Sequence, residues 1–232
     1  MANPNFATPV FARFAFAGQE WQISDGRAVY WPNQGALLVA DLHLEKASWF
    51  ASHGQMLPPY DSRETLERLA AAVLATGARR IFCLGDNFHD DAGPGRMESH
   101  AVALLADLAA RVDVVWITGN HDAGLTDIPG TVVADLTIDG IDLRHEATSE
   151  ARNPEVSGHF HPKLRVKTRG RTLSRPCALR SEARLILPAF GTLTGGMDAA
   201  HPALIAALQP ARAIDAVLCV GARAVQIPVW RA

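Results

Sequence analysis

The chain is poor in cysteine, in net charge and in long apolar runs. Its three cysteines, Cys83, Cys177 and Cys219, are odd in number and far apart, with no Cys-x-x-Cys pair among them. Nothing therefore suggests thiolate zinc or redox chemistry, and the usage fits a reducing cytosol. Cys83 and Cys219 lie in apolar runs and read as small core hydrophobes. No apolar stretch approaches the ~20 residues that cross a bilayer. The apolar residues of 9–17 are interrupted by Arg13 and follow no basic segment, so no secretory signal is expected. A cytoplasmic protein with no membrane partner is the expectation. The formal net charge is only −2, so the surface as a whole does not attract polyanions. Any nucleic-acid contact must come from a local basic patch. Internal repeats, low-complexity tracts and linkers are missing as well. What is there is 232 residues with 48% hydrophobic content, which suits one α/β domain over 1–232 with a sizeable core.

Three short apolar runs end in polar motifs. Residues 36–40 run into Asp41, residues 80–84 into Gly85-Asp86, and residues 112–118 into Gly119-Asn120-His121-Asp122. Runs of this length bounded by glycine predict strands buried on both faces. Between them, Asp61-Ser62 is expected to cap a helix carrying Leu66, Leu69, Val73 and Leu74 and stopping near Gly77. Ser99 is expected to cap a second, with Val102, Leu105 and Leu108. That alternation implies a parallel sheet with crossover helices. The second half reads as short strands over 132–138, 141–144, 164–168, 184–187, 216–220 and 224–229, with hairpin turns at Asp139-Gly140 and Arg169-Gly170. The fold class expected is α/β, two packed mixed sheets flanked by helices. Residues 46–60 are expected to form a loop or irregular helix over the site.

Sites in parallel α/β sheets form beyond the carboxyl ends of strands. Asp41-Leu42-His43, Gly85-Asp86 and Gly119-Asn120-His121-Asp122 all stand there, and Arg144-His145 and Gly158-His159-Phe160-His161 come later. Each piece alone is weak: a Gly-Asp pair is often a turn, and a lone buried histidine such as His145 is more often a satisfied core residue. Together they supply carboxylate, amide and imidazole, the ligands that Mn²⁺, Fe²⁺ or Zn²⁺ accept. Burying so many ionisable groups without a cation is costly. If locally extended, His159 and His161 would point to one side, with Phe160 facing away.

These five ordered blocks resemble the calcineurin-like metallophosphoesterase superfamily. Asp41-Leu42-His43-Leu44-Glu45-Lys46, Ser157-Gly158-His159-Phe160-His161-Pro162, Ser174-Arg175-Pro176-Cys177 and Leu187-Pro188-Ala189-Phe190-Gly191 further resemble the bacterial ligase-associated DNA damage response endonucleases. In that family the phosphoesterase accompanies a helicase, an exonuclease and a DNA ligase. The resemblance implies a four-layer αββα sandwich and two divalent metal ions, with Mn²⁺ favoured. Asp41, His43, Asp86 and His161 would hold one. Asp86, Asn120, His145 and His159 would hold the other, with Asp86 bridging. A bridging carboxylate holds two cations ~3.5–4 Å apart, where both can contact one attacking hydroxide and the phosphate oxygens. The resemblance puts His121 near the leaving group, as stabiliser or proton donor; the plainer reading gives it no proton role.

One departure concerns His89. In the phosphoprotein phosphatase branch the third residue after the bridging aspartate is another aspartate that orients the catalytic histidine. Here it is His89, so Asp90 or Asp122 would have to substitute. A histidine there resembles the double-strand-break repair nucleases and favours a phosphodiester substrate; an exposed loop histidine is the plainer reading. A second departure is Glu146 after His145, where many relatives carry glycine. His53, His100 and His201 have no motif context and read as surface or helix packing.

No acidic residue lies between Glu155 and Glu182, a stretch that alternates Lys163, Arg165 and Lys167. One strand face carrying these three could track a nucleic-acid backbone; a merely solvated hairpin fits equally well. Trp49 and Phe50 are candidates for stacking on single-stranded bases, though core packing is the plainer reading of either. The expectation is a metal-dependent phosphodiesterase or endonuclease acting on DNA in repair. The alternatives are a small-molecule phosphoesterase of the same fold and a docking scaffold that has lost activity.

Overall fold

The computed structural model describes residues 8–148 and 150–232. In chain order the strands are β1 (Phe11–Phe16), β2 (Gln19–Ser24), β3 (Val29–Trp31), β4 (Ala36–Val39), β5 (Arg80–Leu84), β6 (Asp113–Ile117) and β7 (Thr131–Val133). They continue as β8 (Leu136–Ile138), β9 (Ile141–Leu143), β10 (Glu155–Ser157), β11 (Pro162–Thr168) and β12 (Arg171–Pro176). The last are β13 (Ala178–Arg180), β14 (Arg184–Ile186), β15 (Met197–Asp198), β16 (Ala213–Val220) and β17 (Arg223–Arg231). The helices are α1 (Lys46–Ser52), α2 (Asp61–Thr76), α3 (Ser99–Arg111) and α4 (Pro202–Ala207).

Strands β1 to β7 form one sheet in sequence order, antiparallel through β4 and parallel from β4 to β7. A second seven-stranded sheet runs β17-β16-β13-β14-β10-β9-β8, and β12-β11-β15 form a small third one. The period-2 alternation of strands decides the layering. In β4, Leu37 and Val39 pack with Leu66 and Leu69 of α2 and Leu105 and Leu108 of α3. Their neighbour Leu38 faces Leu143, Val156, Leu185 and Val217 of the second sheet. The outer face of that sheet, with Leu179, Ile186 and Ala216, is covered by Leu204 of α4 and Leu164 of the β11–β12 hairpin. The expected mixed α/β sandwich is therefore present, with a basic hairpin sharing the outermost layer. Among the described residues, no helix is long and apolar enough to cross a membrane.

Several local expectations are corrected. Residues 132–138 are two strands, because Ala134-Asp135 carries the chain from the edge of the first sheet to the edge of the second. Helix α2 ends at Gly77, whose φ of 64° permits the cap N–H to reach Val73 O. Its start has no side-chain cap, and neither Asp61 nor Ser62 serves there. Both turn to the preceding helix instead. The Asp61 carboxylate accepts from Ala47 N at 3.0 Å, and Ser62 Oγ accepts from Glu45 N at 2.8 Å and donates to Glu45 Oε1 at 2.7 Å. Ser99 does not cap α3, because the extended residue before the helix is Glu98. Strands β1 to β3 were not foreseen, although Ala12, Phe14 and Phe16 alternate inward in β1.

Candidate metal centre

Parallel strands β4, β5 and β6 release their chains at one edge, and the polar motifs begin there. Pairing continues past the strands: Asp41 N donates to Gly85 O at 3.1 Å, His43 N to Asp86 O at 2.9 Å, and His89 N to Leu44 O at 2.9 Å. Within this continuation the backbone turns sharply. Asp41 (φ 52°), His43 (43°), Asp86 (47°), His159 (72°) and His161 (50°) all occupy the left-handed region. Such residues are uncommon outside glycine and cluster where function demands them. Two glycines make room. A Cβ on Gly85 would stand 2.2 Å from His145 Nδ1, and one on Gly119 would stand 2.2 Å from Asp86 Oδ1.

The side chains gather into three sets, of which one is His43, His89 and His121 and the other two hold the carboxylates. Of those two, Asp41, His43 and His161 form the first, with His161 Nε2 3.4 Å from Asp41 Oδ1 and 3.4 Å from His43 Nε2. Asp86, His145 and His159 form the second, with His145 Nε2 3.4 Å from Asp86 Oδ1. Asn120 Oδ1 joins the second set, 3.0 Å from His145 Nε2 and 3.1 Å from His159 Nδ1. The Asp86 carboxylate lies between these two sets, since its Oδ2 is 3.7 Å from His43 Nε2. The neighbouring backbone steadies both acids. His159 N donates to both oxygens of Asp41 at 3.0 Å, and His121 N donates to Asp86 Oδ1 at 3.0 Å. Because His159 and His161 are left-handed rather than extended, they do not share a side. His159 turns to the second set and His161 to the first.

Tautomers follow from the contacts. His145 Nδ1 lies 3.1 Å from Leu84 O, a carbonyl that only accepts, so Nδ1 donates there and Nε2 is turned to the cluster. Burial, then the charges of His161, Lys46, His121 and His89, hold His43 far below its usual pKa, at about 2. Imidazole nitrogens gathered 3.4–3.7 Å from carboxylate oxygens are a cation's donor set. The residues fit divalent metal.

His121 and His89 stand beside this cluster. His121 Nε2 is 4.0 Å from Asp86 Oδ2, and its Nδ1 donates to the His89 carbonyl at 3.0 Å. Asp90 and Asp122 do not orient it. Asp90 pairs with Arg96. Asp122, fully buried, accepts from Asn87 N, Asn87 Nδ2, Phe88 N and Gly119 N. His89 is no exposed loop residue: it is half-buried, its ring lies 5.0 Å from that of His121 at 20° to parallel, and burial, then Lys46 and His121, lower its pKa to about 4.

The remaining sequence candidates lie further out. Lys163 is half-buried against Gly196, Arg165 pairs with Asp198 at 3.5 Å, and Lys167 is exposed. Sequence reading did not see that β15 brings Asp198 beside this face. It also missed Lys46, whose charge reaches both His43 and His89, and gave Glu146 no role, though Oε1 lies 3.7 Å from His159 Nε2. His53, His100 and His201 lie outside the cluster, and His201 caps α4 by accepting from Ala203 N.

Residues 36–173 match the family described as calcineurin-like phosphoesterase. A crystal structure of Pseudomonas putida nuclease MPE superposes with a TM-score of 0.70 at 28% identity, covering 94% of this chain and 100% of that one. No curated protein matches. The chain belongs to the calcineurin-like phosphoesterase family and is a metal-dependent phosphoesterase.

Proposed function

We propose that the chain is a binuclear phosphodiesterase that cuts nucleic acid, with DNA in a repair setting as its substrate and Mn²⁺ as its native metal. The carrying observation is the Asp86 carboxylate, with Oδ2 3.7 Å from His43 Nε2 and Oδ1 3.4 Å from His145 Nε2. A carboxylate shared in this way suits one ion on each side. Asp41, His43, Asp86 and His161 would hold the first, and Asp86, Asn120, His145 and His159 the second. Bound there, two divalent cations supply charge neutralisation at the phosphoryl oxygens and an acidified water.

The chain's own residues do the rest. The His89 carbonyl fixes the His121 ring and leaves Nε2 facing the cluster, where it can give a proton to the departing oxygen. His89, ring on ring with His121, walls that side. Strand β11 begins immediately after His161 and carries Lys163, Arg165 and Lys167, which bind the polyanion backbone beside the cut. With Arg165 engaged by Asp198, Lys163 and Lys167 carry more of this contact. The nuclease name of the Pseudomonas putida structure supports a polynucleotide substrate over a small diester. Functional association with a DNA ligase, a helicase and an exonuclease is part of the same reading. The docking-scaffold alternative has little support, because every expected ligand type is retained.

The test is protein stripped of metal and reloaded with Mn²⁺, assayed on a bis-aryl phosphate diester and the matching monoester. Metal-dependent diester cleavage that disappears in Asp86→Asn and drops sharply in His121→Asn is expected. No cleavage by the metal-loaded wild type would refute the assignment.

A further inference from the structure

Helix α1 carries rings that the proposed chemistry leaves unused. Trp49 stacks on His53, with centroids 4.1 Å apart and planes 29° from parallel. It meets His89 at 4.9 Å and Phe50 at 5.1 Å, both edge-on. Phe50 lies 6.0 Å from His89 and 17° from parallel to it. A chain of ring contacts, stacked at His121–His89 and at Trp49–His53 and edge-on between them, therefore leads from beside the metal cluster outward to His53.

Packing does not account for this run. Trp21, Trp31 and Trp116 are fully buried, whereas Trp49 and Phe50 are half-buried and His53 is exposed. Among the described residues, Trp49 and Phe50 belong to none of the three apolar cores. The apolar character continues outward at Met56, 85% exposed, and Tyr60, 55% exposed. Lys46, at the first position of α1, adds a cation whose charge acts on His43 and His89.

We propose that the Trp49–His53 stack is a platform for an unpaired nucleobase, belonging to a nucleotide next to the phosphodiester at the metal cluster. This rests on the nucleic-acid reading above. A base extends the stack on the open face of His53 while Trp49 backs it. Stacking of this kind accepts every base, because each has a π-face. A base inside a duplex already has both faces covered, so the platform selects single-stranded, frayed or bulged DNA.

The experiment uses the full-length, Mn²⁺-loaded protein on a single-stranded oligonucleotide, its duplex, and a series carrying one abasic residue at successive positions around the cut. Wild type is expected to favour the single strand and to lose activity when the abasic residue reaches one position beside the cut. Trp49→Ala is expected to raise KM for the intact strand roughly ten-fold or more. It should also be indifferent to the abasic residue, while Trp49→Phe keeps most of the effect. Mn²⁺ affinity by calorimetry should be the same in all three proteins. A KM for Trp49→Ala within two-fold of wild type would overturn the platform, as would an abasic penalty equal in both. Should Trp49→Ala fail to fold, the abasic series on wild type decides, and a series flat at every position overturns the proposal. If wild type cuts neither DNA form, the nuclease reading fails and the platform with it.

Discussion

Replacing Asp122 tests whether the two loops that carry the proposed ligands Asp86 and Asn120 are held by one buried carboxylate. Its Oδ2 accepts from Asn87 N at 2.7 Å, Asn87 Nδ2 at 2.9 Å and Phe88 N at 3.2 Å, and its Oδ1 from Gly119 N at 2.7 Å. Burial pushes this carboxyl up, while the same N–H donors pull it back. Burial outweighs the donors, so the charge itself does not hold the fold together, and the quantity that matters is what removal leaves behind. Asp122→Ala strands three main-chain N–H groups, whereas the Asn87 amide keeps Ile117 O at 2.8 Å. Each orphaned buried donor costs about 1–3 kcal/mol. Water entering the vacated space recovers part of that, so a loss of ~3–5 kcal/mol is expected. Asp122→Asn keeps one acceptor oxygen but aims an NH₂ at a donor, for ~1.5–3 kcal/mol. Urea unfolding at constant m reads both values, and calorimetry reads Mn²⁺ affinity, which should fall because Asp86 and Asn120 sit on the tied loops. An Asp122→Ala protein within about 1 kcal/mol of wild type would refute this account, because three orphaned donors cannot cost so little.

Other consequences are equally concrete. Gly119→Ala puts a methyl 2.2 Å from Asp86 Oδ1, so metal affinity should fall at least ten-fold; retained affinity would mean the loop yields freely. Glu155 is fully buried and bonded to Arg184 Nε at 2.8 Å. Glu155→Met should destabilise by ~3–5 kcal/mol, because it removes the buried counter-charge of both Arg184 and Arg144; a loss under about 1 kcal/mol would contradict this. Chelating the metal should lower Tm, since a ligand at a hundred times its Kd stabilises by about 2.7 kcal/mol per site; an unchanged Tm would argue against a preformed site.

Much of the site was legible because its residue types and their glycines sit where apolar runs end. Asp41, Asp86 and Asn120 follow β4, β5 and β6, and each run reads as a strand without knowledge of its partners. Other features depend on contacts distant in sequence. Asp198 reaches Arg165 only because β15 pairs with β11, across residues with no shared pattern. The role of Asp61 and Ser62 depended on α1 folding back onto α2, which local capping statistics do not include. That the His89 carbonyl holds His121 was invisible for another reason: a backbone atom has no letter in the sequence. Strands β1 to β3 were the avoidable omission, since Phe14 and Phe16 alternate around Ala15 before the turn at Ala17-Gly18.

The left-handed backbone at Asp41, His43, Asp86, His159 and His161 limits which side chains can ever replace these proposed ligands. Aspartate, asparagine and histidine are the non-glycine residues that enter that region most readily, and a β-branched side chain there is an outlier. These same three types bind borderline cations. Chain geometry and coordination chemistry thus filter the alphabet at the same five positions. A change of metal preference is more accessible by substituting at Asn120 or at the surrounding Glu146 and Lys46 than at the five, where a chemically suitable ligand must also tolerate the turn.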